Sequence, residues 1–424
     1  MKSYAVVGLT KGIRTLLNAQ SAARGIALFL ILFASTAFGQ SSQAPTGVTP
    51  LKINSTVLGE ERIVLVRTPQ GYEANAQHYP VIYMTDGDSH IAHTSSTIEF
   101  LARNDRLPEM IVVAILNTDR TRDLTPTKWM ETQPGSTTLQ FPTSGGADKF
   151  LKFIETELIP RIESQYRTQP YRIFAGHSLG GLFAIHAMMS RPELFNSYIA
   201  VSPSLQWDNQ VLVKRAEEFF KERKEFNKTL YVTLGNEKGA ITEGFNKFKE
   251  LLSKIQIKGF EWGAQQMLDE DHGSVVLRSH YFGLRKIFEG WQVARNPFTG
   301  IVVGGLAGAE EHYKKLSQRL GYTIPVPEVL INQMGYQLLN NKKNEEAIAV
   351  FKSNVERYPA SANVYDSLAE AYERSGQLDM ARSNYEKAYI TGKRNNDPNV
   401  ELFKANFERV DAKIKQDGTA MKKK

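Results

Sequence analysis

The chain has 424 residues, which is more than one hydrophobic core usually holds and predicts two globular units. It contains no cysteine, which excludes disulfides and a lipid anchor on an N-terminal cysteine. The formal charge is +7, but residues 1–39 hold four bases and no acid, so their removal would leave +3. This near balance excludes nucleic acid as an expected partner, and the basic tail 416–424 is interpreted as a solvated segment.

The N-terminal 39 residues have the pattern of a secretory signal peptide. Basic residues without acids precede an apolar stretch from Gly25 to Phe38, and small residues precede Gln40. The apolar stretch has about 14 residues, whereas a helix needs roughly 20 to span a bilayer. We therefore expect export to a bacterial periplasm or the medium, with no stable membrane span after cleavage; an uncleaved anchor is the alternative. Residues 40–49 are expected to form a flexible leader.

Residues 50–292 have the pattern of an α/β domain with a mostly parallel sheet. Segments with apolar residues at helical spacing, 150–166 and 245–255, separate short β-rich apolar runs. Such runs are typical of strands that are covered on both faces. The predicted strands include 62–67, 81–84, 110–116, 171–175, 198–201 and 230–234.

The segment Gly176-His177-Ser178-Leu179-Gly180-Gly181 follows one of these strands and precedes a helical pattern over 179–191. A serine between glycines at a strand-to-helix turn is typical of a nucleophile elbow, because the tight turn leaves no room for a Cβ at its flanks. We therefore predict that Ser178 is a nucleophile. The alternative is a serine that only caps a glycine-started helix.

A serine nucleophile needs a histidine base, which follows it in the chain order of α/β-hydrolases. His272, His280 and His312 satisfy this order, and His312 lies beyond the predicted domain. His272 occupies a polar loop after the strand-like run 260–268, where the last catalytic loop is expected. We therefore predict His272 as the base; a helix cap is the alternative interpretation.

A carboxylate should orient this histidine, and Glu237 comes directly after the predicted strand 230–234. We predict Glu237 for this role. Other carboxylates in nearby loops stay open as alternatives: Asp208, Asp269, Glu270 and Asp271.

An oxyanion hole requires two backbone N–H donors. The N–H of Leu179, the residue after the nucleophile, is the first candidate. The second is the N–H of Gly87 or Asp88, in the loop after an early strand.

Two side chains are candidates for substrate binding. Trp207 could pack against a substrate, although core packing is equally compatible with its pattern. Arg122 could meet an anionic substrate, and a solvated charged loop is the competing interpretation. The spacing of His90 and His93 resembles a metal site, but no third ligand accompanies them, so we expect polar contacts and no metal.

The C-terminal part is predicted to be helical after a glycine-containing linker at 293–326. Within 327–415, similar residues recur 34 positions apart, as in Ala347 and Ala381 or Phe351 and Tyr385. This is the tetratricopeptide period, so we predict an all-α tetratricopeptide-like domain. Its concave face could bind a protein partner, whereas packing alone is the alternative explanation of the repeated residues.

Several segments together resemble the esterase family of α/β-hydrolases that includes esterase D, ferric-siderophore esterases, feruloyl esterases and mycolyl transferases. The resemblance rests on residues 79–88, 144–147, 176–181, 202–208 and 271–275. It implies an α/β-hydrolase fold, no cofactor, and Ser178 with His272 as the catalytic pair. Siderophore esterases often have two tryptophans where this chain has Gln206-Trp207. Bacterial members with a tetratricopeptide extension resemble the whole chain.

The combined expectation is an exported serine hydrolase that cleaves a small-molecule carboxylic ester through an acyl-enzyme. An acyl transferase would use the same residues. A non-catalytic scaffold, which would bind a protein partner through the repeats, is the alternative outside enzymology.

Overall fold

A computed structural model describes residues 47–133 and 135–421. The predicted signal peptide, most of the predicted leader and the last three residues of the basic tail lie outside the described residues. The described residues belong to one compact unit.

The centre of the molecule is a twisted sheet of eight strands in the order β1-β2-β4-β3-β5-β6-β7-β8. β2 pairs antiparallel with both β1 and β4, whereas all pairs from β4 through β3 to β8 are parallel. The prediction of an α/β fold with a mostly parallel sheet is confirmed. The strands are β1 (Val48–Ser55), β2 (Glu60–Arg67), β3 (Tyr79–Met84), β4 (Ile111–Ile115), β5 (Thr168–His177), β6 (Ser197–Val201), β7 (Glu225–Leu234) and β8 (Lys258–Gln266).

Helices cover both faces of this sheet. A π-helical turn, Ile154–Leu158, joins α3 to α4, where the sequence pattern predicts one continuous helix. A 3₁₀ turn, Tyr72–Ala74, precedes β3. The helices of this part are α1 (Gly87–Arg103), α2 (Arg120–Leu124), α3 (Ala147–Phe153), α4 (Ile159–Gln165), α5 (Leu179–Ser190), α6 (Trp207–Lys221), α7 (Ala240–Ser253) and α8 (Val275–Ile287).

Each face of the sheet has its own apolar core. One core contains Phe150, Leu182 and Phe245, so α3, α5 and α7 lie on that face. The other contains Ile91 of α1 and Val275 of α8. Burial on both faces explains why the parallel strands are continuous apolar runs in the sequence.

The segment expected to be a linker contains a packed helix instead. Helix α9 (Gly305–Leu320) places Tyr313, Leu316 and Leu320 in the same apolar core as α1 and α8. These residues recur at intervals of three and four, which is the spacing of a buried helical face. The prediction of a linker over 293–326 is therefore corrected. The glycines that suggest a linker lie just before α9 and in its first turn, and the rest of the helix is packed in the core.

Five further helices follow α9, each packed against the next. They are α10 (Glu328–Asn340), α11 (Asn344–Arg357), α12 (Ala362–Arg374), α13 (Leu378–Asn395) and α14 (Val400–Met421). The starts of α10 and α12 are 34 residues apart, and so are those of α11 and α13. Ala347, Phe351, Ala381 and Tyr385 are all buried in the core that these helices share. The tetratricopeptide-like assignment stays a prediction, which this repeat of helix positions supports.

Across the two described ranges, every helix is too short or too polar to cross a lipid bilayer.

The packing of α9 generates a stability prediction. Tyr313 is 2% exposed, so Tyr313→Ala should lower the free energy of unfolding by about 3 kcal/mol through lost burial and a cavity. The neighbouring Lys314 is exposed, and Lys314→Ala should change that free energy by less than about 0.5 kcal/mol. Urea denaturation followed by circular dichroism measures the free energy of unfolding of both variants. Equally small changes in the two variants would support a linker.

Candidate active site

The predicted site residues lie at the carboxyl edge of the parallel strands. Ser178 follows β5, Glu237 follows β7, and His272 follows β8. Parallel strands all present their carboxyl ends at one edge, so the three loops open on the same side of the sheet.

Ser178 forms a strained turn between β5 and α5. Its backbone has φ 60° and ψ −113°, a positive-φ conformation outside the left-handed helical region that costs a non-glycine residue about 1–3 kcal/mol. Its N–H donates to the carbonyl oxygen of Val201 at 2.9 Å, which holds the turn against β6. The half-buried side chain therefore projects from a fixed backbone at the sheet edge.

Two glycines make this turn sterically possible. A Cβ added to Gly176 would lie 2.2 Å from the carbonyl oxygen of Gly180, well inside van der Waals contact. A Cβ on Gly180 would lie 2.2 Å from Thr85 Oγ1. The first glycine thus allows the chain to fold back on itself, and the second allows α5 to approach the loop after β3.

His272 is hydrogen bonded to Glu237. Its Nδ1–H donates to Glu237 Oε1 across 35 positions of sequence. The Glu237 side chain is 9% exposed and the His272 side chain 43%, so a shielded carboxylate orients an accessible imidazole. Glu237 Oε2 is buried and has no hydrogen-bond partner among the described residues. Among Glu237 and its four alternatives, Glu237 is the carboxylate whose oxygen contacts His272 Nδ1 in the described part of the chain.

His177, which directly precedes Ser178 in the chain, contacts His272. His177 Nε2–H donates to the carbonyl oxygen of His272 at 2.7 Å, and the two rings are 4.6 Å apart between centroids. Ser178 Oγ contacts Ser204 Oγ at 3.3 Å. Within the described residues, Ser178 Oγ makes no hydrogen bond to His272, and a rotation about χ1 would move Oγ to another staggered position.

The three predicted oxyanion donors lie at the N-termini of two helices, α5 and α1. Leu179 is the first residue of α5, and Gly87 and Asp88 are the first residues of α1. N–H groups in a first helical turn have no intrahelical acceptor, and the helix dipole adds positive potential there. Gly87 itself is required by packing, because a Cβ there would lie 2.7 Å from the carbonyl carbon of Ala114 in β4.

Asp86 fixes the start of α1, a role that the sequence analysis missed. It has φ 55° and accepts hydrogen bonds from Arg120 Nε and Asn117 Nδ2, both at 2.6 Å. Burial would raise the pKa of Asp86, but the hydrogen bonds and charge of Arg120, with Asn117, outweigh it and keep the pKa below its usual value. Arg120 Nη2 also donates to the carbonyl oxygen of His177 at 2.9 Å, which joins this loop to β5.

The structure corrects the prediction for Arg122. Its guanidinium contacts Glu60 Oε1 at 2.6 Å and Asp123 Oδ1 at 2.7 Å, so it holds α2 against β2. Asp123 is also paired, at 2.5 Å, with Arg62, whose side chain is 1% exposed. Arg122 thus belongs to a structural charge cluster, and its neighbour Arg120 is the arginine that faces the site.

The prediction for Trp207 as a substrate-packing residue is also wrong. Trp207 is 4% exposed, and its Nε1–H donates to the backbone and side-chain oxygens of Thr127, each at 3.2 Å. Its ring packs against Trp129 and Phe141, at centroid distances of 4.8 and 5.3 Å. Trp129 and Phe141 are half-buried, and the sequence analysis missed both. The contacts of both rings with Trp207 span more than 60 positions of sequence.

His90 and His93 make polar contacts, as expected from the sequence. His90 Nδ1 lies 3.1 Å from His93 Nε2, and the His93 ring stacks on buried His280. Burial lowers the pKa of His93 to about 4, with the nearby His90 adding to the effect. No cluster of three or more His, Asp or Glu side chains among the described residues could hold a metal ion.

Comparisons with known proteins agree with this fold. Residues 55–243 match the family model "Esterase", described as "Putative esterase". Ferri-bacillibactin esterase BesA of Bacillus subtilis (strain 168) is 29% identical over 217 residues, which are 47% of this chain and 75% of that protein. Siderophore enterobactin esterase of Emericella nidulans is 27% identical over 250 residues, 48% of this chain and 80% of that protein.

A solved structure extends the comparison. The crystal structure of an IroE-like serine hydrolase from Shewanella oneidensis superposes with a TM-score of 0.64 at 27% identity, over 73% of this chain and 99% of that one. Sequence family and fold thus point the same way: residues 55–243 are similar to the putative esterase family, and the α/β core has the fold of a solved serine hydrolase.

Proposed function

We propose that this chain is a serine hydrolase that cleaves carboxylic esters through an acyl-enzyme. The observation that carries the proposal is the Glu237–His272 hydrogen bond, formed next to a strained serine turn where two helices begin. A packed core requires neither the positive φ of Ser178 nor an accessible imidazole on a shielded carboxylate. Both are the usual components of nucleophilic catalysis by serine.

In the first half-reaction, Ser178 Oγ attacks the ester carbonyl carbon while His272 Nε2 takes the hydroxyl proton. Oγ leaves Ser204 for this step. The N–H groups of Leu179 and of Gly87 or Asp88 stabilise the negative oxygen of the tetrahedral intermediate. When the intermediate collapses, the C–O bond to the alcohol breaks, and His272 returns its proton to the leaving oxygen.

In the second half-reaction, water attacks the acyl-enzyme carbonyl while His272 takes a proton from it. Collapse then breaks the bond to Ser178 Oγ, which regains a proton from His272 as the carboxylic acid leaves. Glu237 keeps the proton on Nδ1 throughout and stabilises the positive imidazolium that forms in both halves.

The relatives suggest which esters to test first. Two of them are named for esters of ferri-bacillibactin and enterobactin, so siderophore esters are the first natural substrates to offer. Export remains part of the proposal on the sequence of residues 1–39 alone, and N-terminal sequencing of the secreted protein tests the cleavage before Gln40.

The nucleophile gives the first test of this function. Ser178→Ala should lower the hydrolysis of p-nitrophenyl acetate and butyrate by about 10⁴-fold or more, because the acyl-enzyme can no longer form. Labelling by a fluorophosphonate probe should disappear together with turnover. Ser164→Ala is the matched control, since Ser164 is exposed on α4 away from the site.

Retained labelling of folded Ser178→Ala would contradict Ser178 as the nucleophile. Folded wild-type protein that hydrolyses neither these esters nor siderophore esters would contradict the hydrolase function and favour a non-catalytic scaffold.

The acid gives a second test. Glu237→Gln should lower kcat by about 10³- to 10⁴-fold, because an amide neither fixes the Nδ1–H tautomer nor stabilises imidazolium. KM should change little, since the carboxylate acts on His272. Glu243→Gln, at an exposed position of α7, should leave both constants unchanged. A loss of less than about tenfold for Glu237→Gln would assign the orienting role elsewhere.

A further inference from the structure

The loop that carries His272 (residues 267–274) is fastened firmly to the end of β7. Met267 N–H donates to the carbonyl oxygen of Leu234 at 2.8 Å, and Asn236 N–H donates to that of Glu270 at 2.6 Å. Gly235 allows this approach, because a Cβ there would lie 2.8 Å from the carbonyl oxygen of Asp271. These contacts tie the loop to β7, which is separated from the serine strand β5 by β6.

The loop also closes on itself beyond Glu270. Asp271 Oδ1 accepts hydrogen bonds from the N–H groups of Gly273 and Ser274, at 2.9 and 2.7 Å. This turn shapes the backbone around His272 but does not determine how far His272 lies from Ser178. Another contact must set that distance.

His177 makes this contact. The bond from its Nε2–H to the carbonyl oxygen of His272 is, in the described part of the chain, the one hydrogen bond between the loop and β5. Since the acceptor is a carbonyl oxygen, Nε2 must carry the proton. His177 directly precedes Ser178, so this hydrogen bond ties the backbone of His272 to the residue next to the nucleophile.

His177 is held in place on its other sides. Its carbonyl oxygen accepts from Arg120, and its ring packs edge-on against His90 of α1 at 5.8 Å. The titratable and charged groups around it are His272, His90, His280, Arg120 and Asp86. Burial, followed by the proximity of His272, lowers the pKa of His177 to about 4, so its ring is neutral at the pH where His272 would act.

We propose that His177 is a positioning residue, whose Nε2–H holds the backbone of His272 at the distance from Ser178 that proton transfer requires. The inference rests on the proposed function, because it assumes that His272 is the base. A displacement of about 1 Å in a reacting group can cost 10²-fold in rate, so one hydrogen bond to the carrier loop can control kcat.

Three substitutions at residue 177 separate positioning from packing. In glutamine, the amide nitrogen is two bonds beyond Cγ, as Nε2 is in histidine, so His177→Gln keeps a donor for the His272 carbonyl. In asparagine, the amide nitrogen is one bond beyond Cγ, so His177→Asn offers a donor that is too short. His177→Leu removes the donor and keeps an apolar side chain.

We expect His177→Asn and His177→Leu to lower kcat by about 30- to 100-fold, with KM within about threefold. His177→Gln should stay within about fivefold of wild type. His186, also buried and bonded to Asp148 at 2.9 Å, provides the control, and His186→Gln should leave kcat unchanged. Thermal unfolding of each variant identifies any loss that comes from misfolding.

A readout without substrate keeps this inference separate from the proposed function. NMR of the His272 imidazole should show altered chemical shifts in His177→Leu and wild-type chemical shifts in His177→Gln. If wild type hydrolyses no ester but this NMR pattern appears, the proposed function fails and the positioning stands. The positioning role would be overturned if folded His177→Gln and His177→Leu lost kcat equally. It would also be overturned if no substitution at residue 177 changed the NMR spectrum of His272.

Discussion

The backbone strain at Ser178 is the constraint on which the site depends. A serine at φ 60° is stable here because Gly176 and Gly180 leave space for the chain to reverse and because Val201 accepts its N–H. The same lack of a Cβ at Gly180 brings the first turn of α5 against Thr85 and Asp86, which lead directly into α1. One tight turn therefore exposes the hydroxyl and also brings together the N–H groups that could hold an oxyanion.

Side-chain contacts extend this constraint across the sheet edge. Asp86 binds Arg120, Arg120 binds the carbonyl of His177, His177 binds the carbonyl of His272, and His272 binds Glu237. Each contact joins loops that follow different strands, so the parallel sheet alone does not fix the distances within the site. His177, which lies at the centre of this series, has a neutral ring, so it does not compete with His272 for a proton.

Local patterns predicted the strands, the elbow and the loops of His272 and Glu237, since each depends on a few consecutive residues. Choices between neighbouring side chains failed, because they depend on distant partners. The local sequence suggests Arg122 as a substrate contact, but Glu60, which lies 62 positions earlier, binds its guanidinium. No local pattern assigns a role to His177, because its acceptor lies 95 positions further on. Helix α9 was missed because the glycines before it resemble a linker.

Other residues with strained backbone conformations also lie near this edge of the sheet. Nine non-glycine residues in the described part of the chain have positive φ, and six of them follow β3, β5 or β6, three of these at a kink in the first turn of α6. These are Asp86, Ser178, Ser202, Asp208, Asn209 and Gln210. Left-handed conformations cost energy, so surrounding contacts must hold them in place, as Asn117 and Arg120 do at Asp86. Glycine would adopt these conformations without the cost that a Cβ imposes. The strained residues are concentrated at the edge of the sheet where Ser178, Glu237 and His272 lie, so the contacts that fix this edge also support the proposed site.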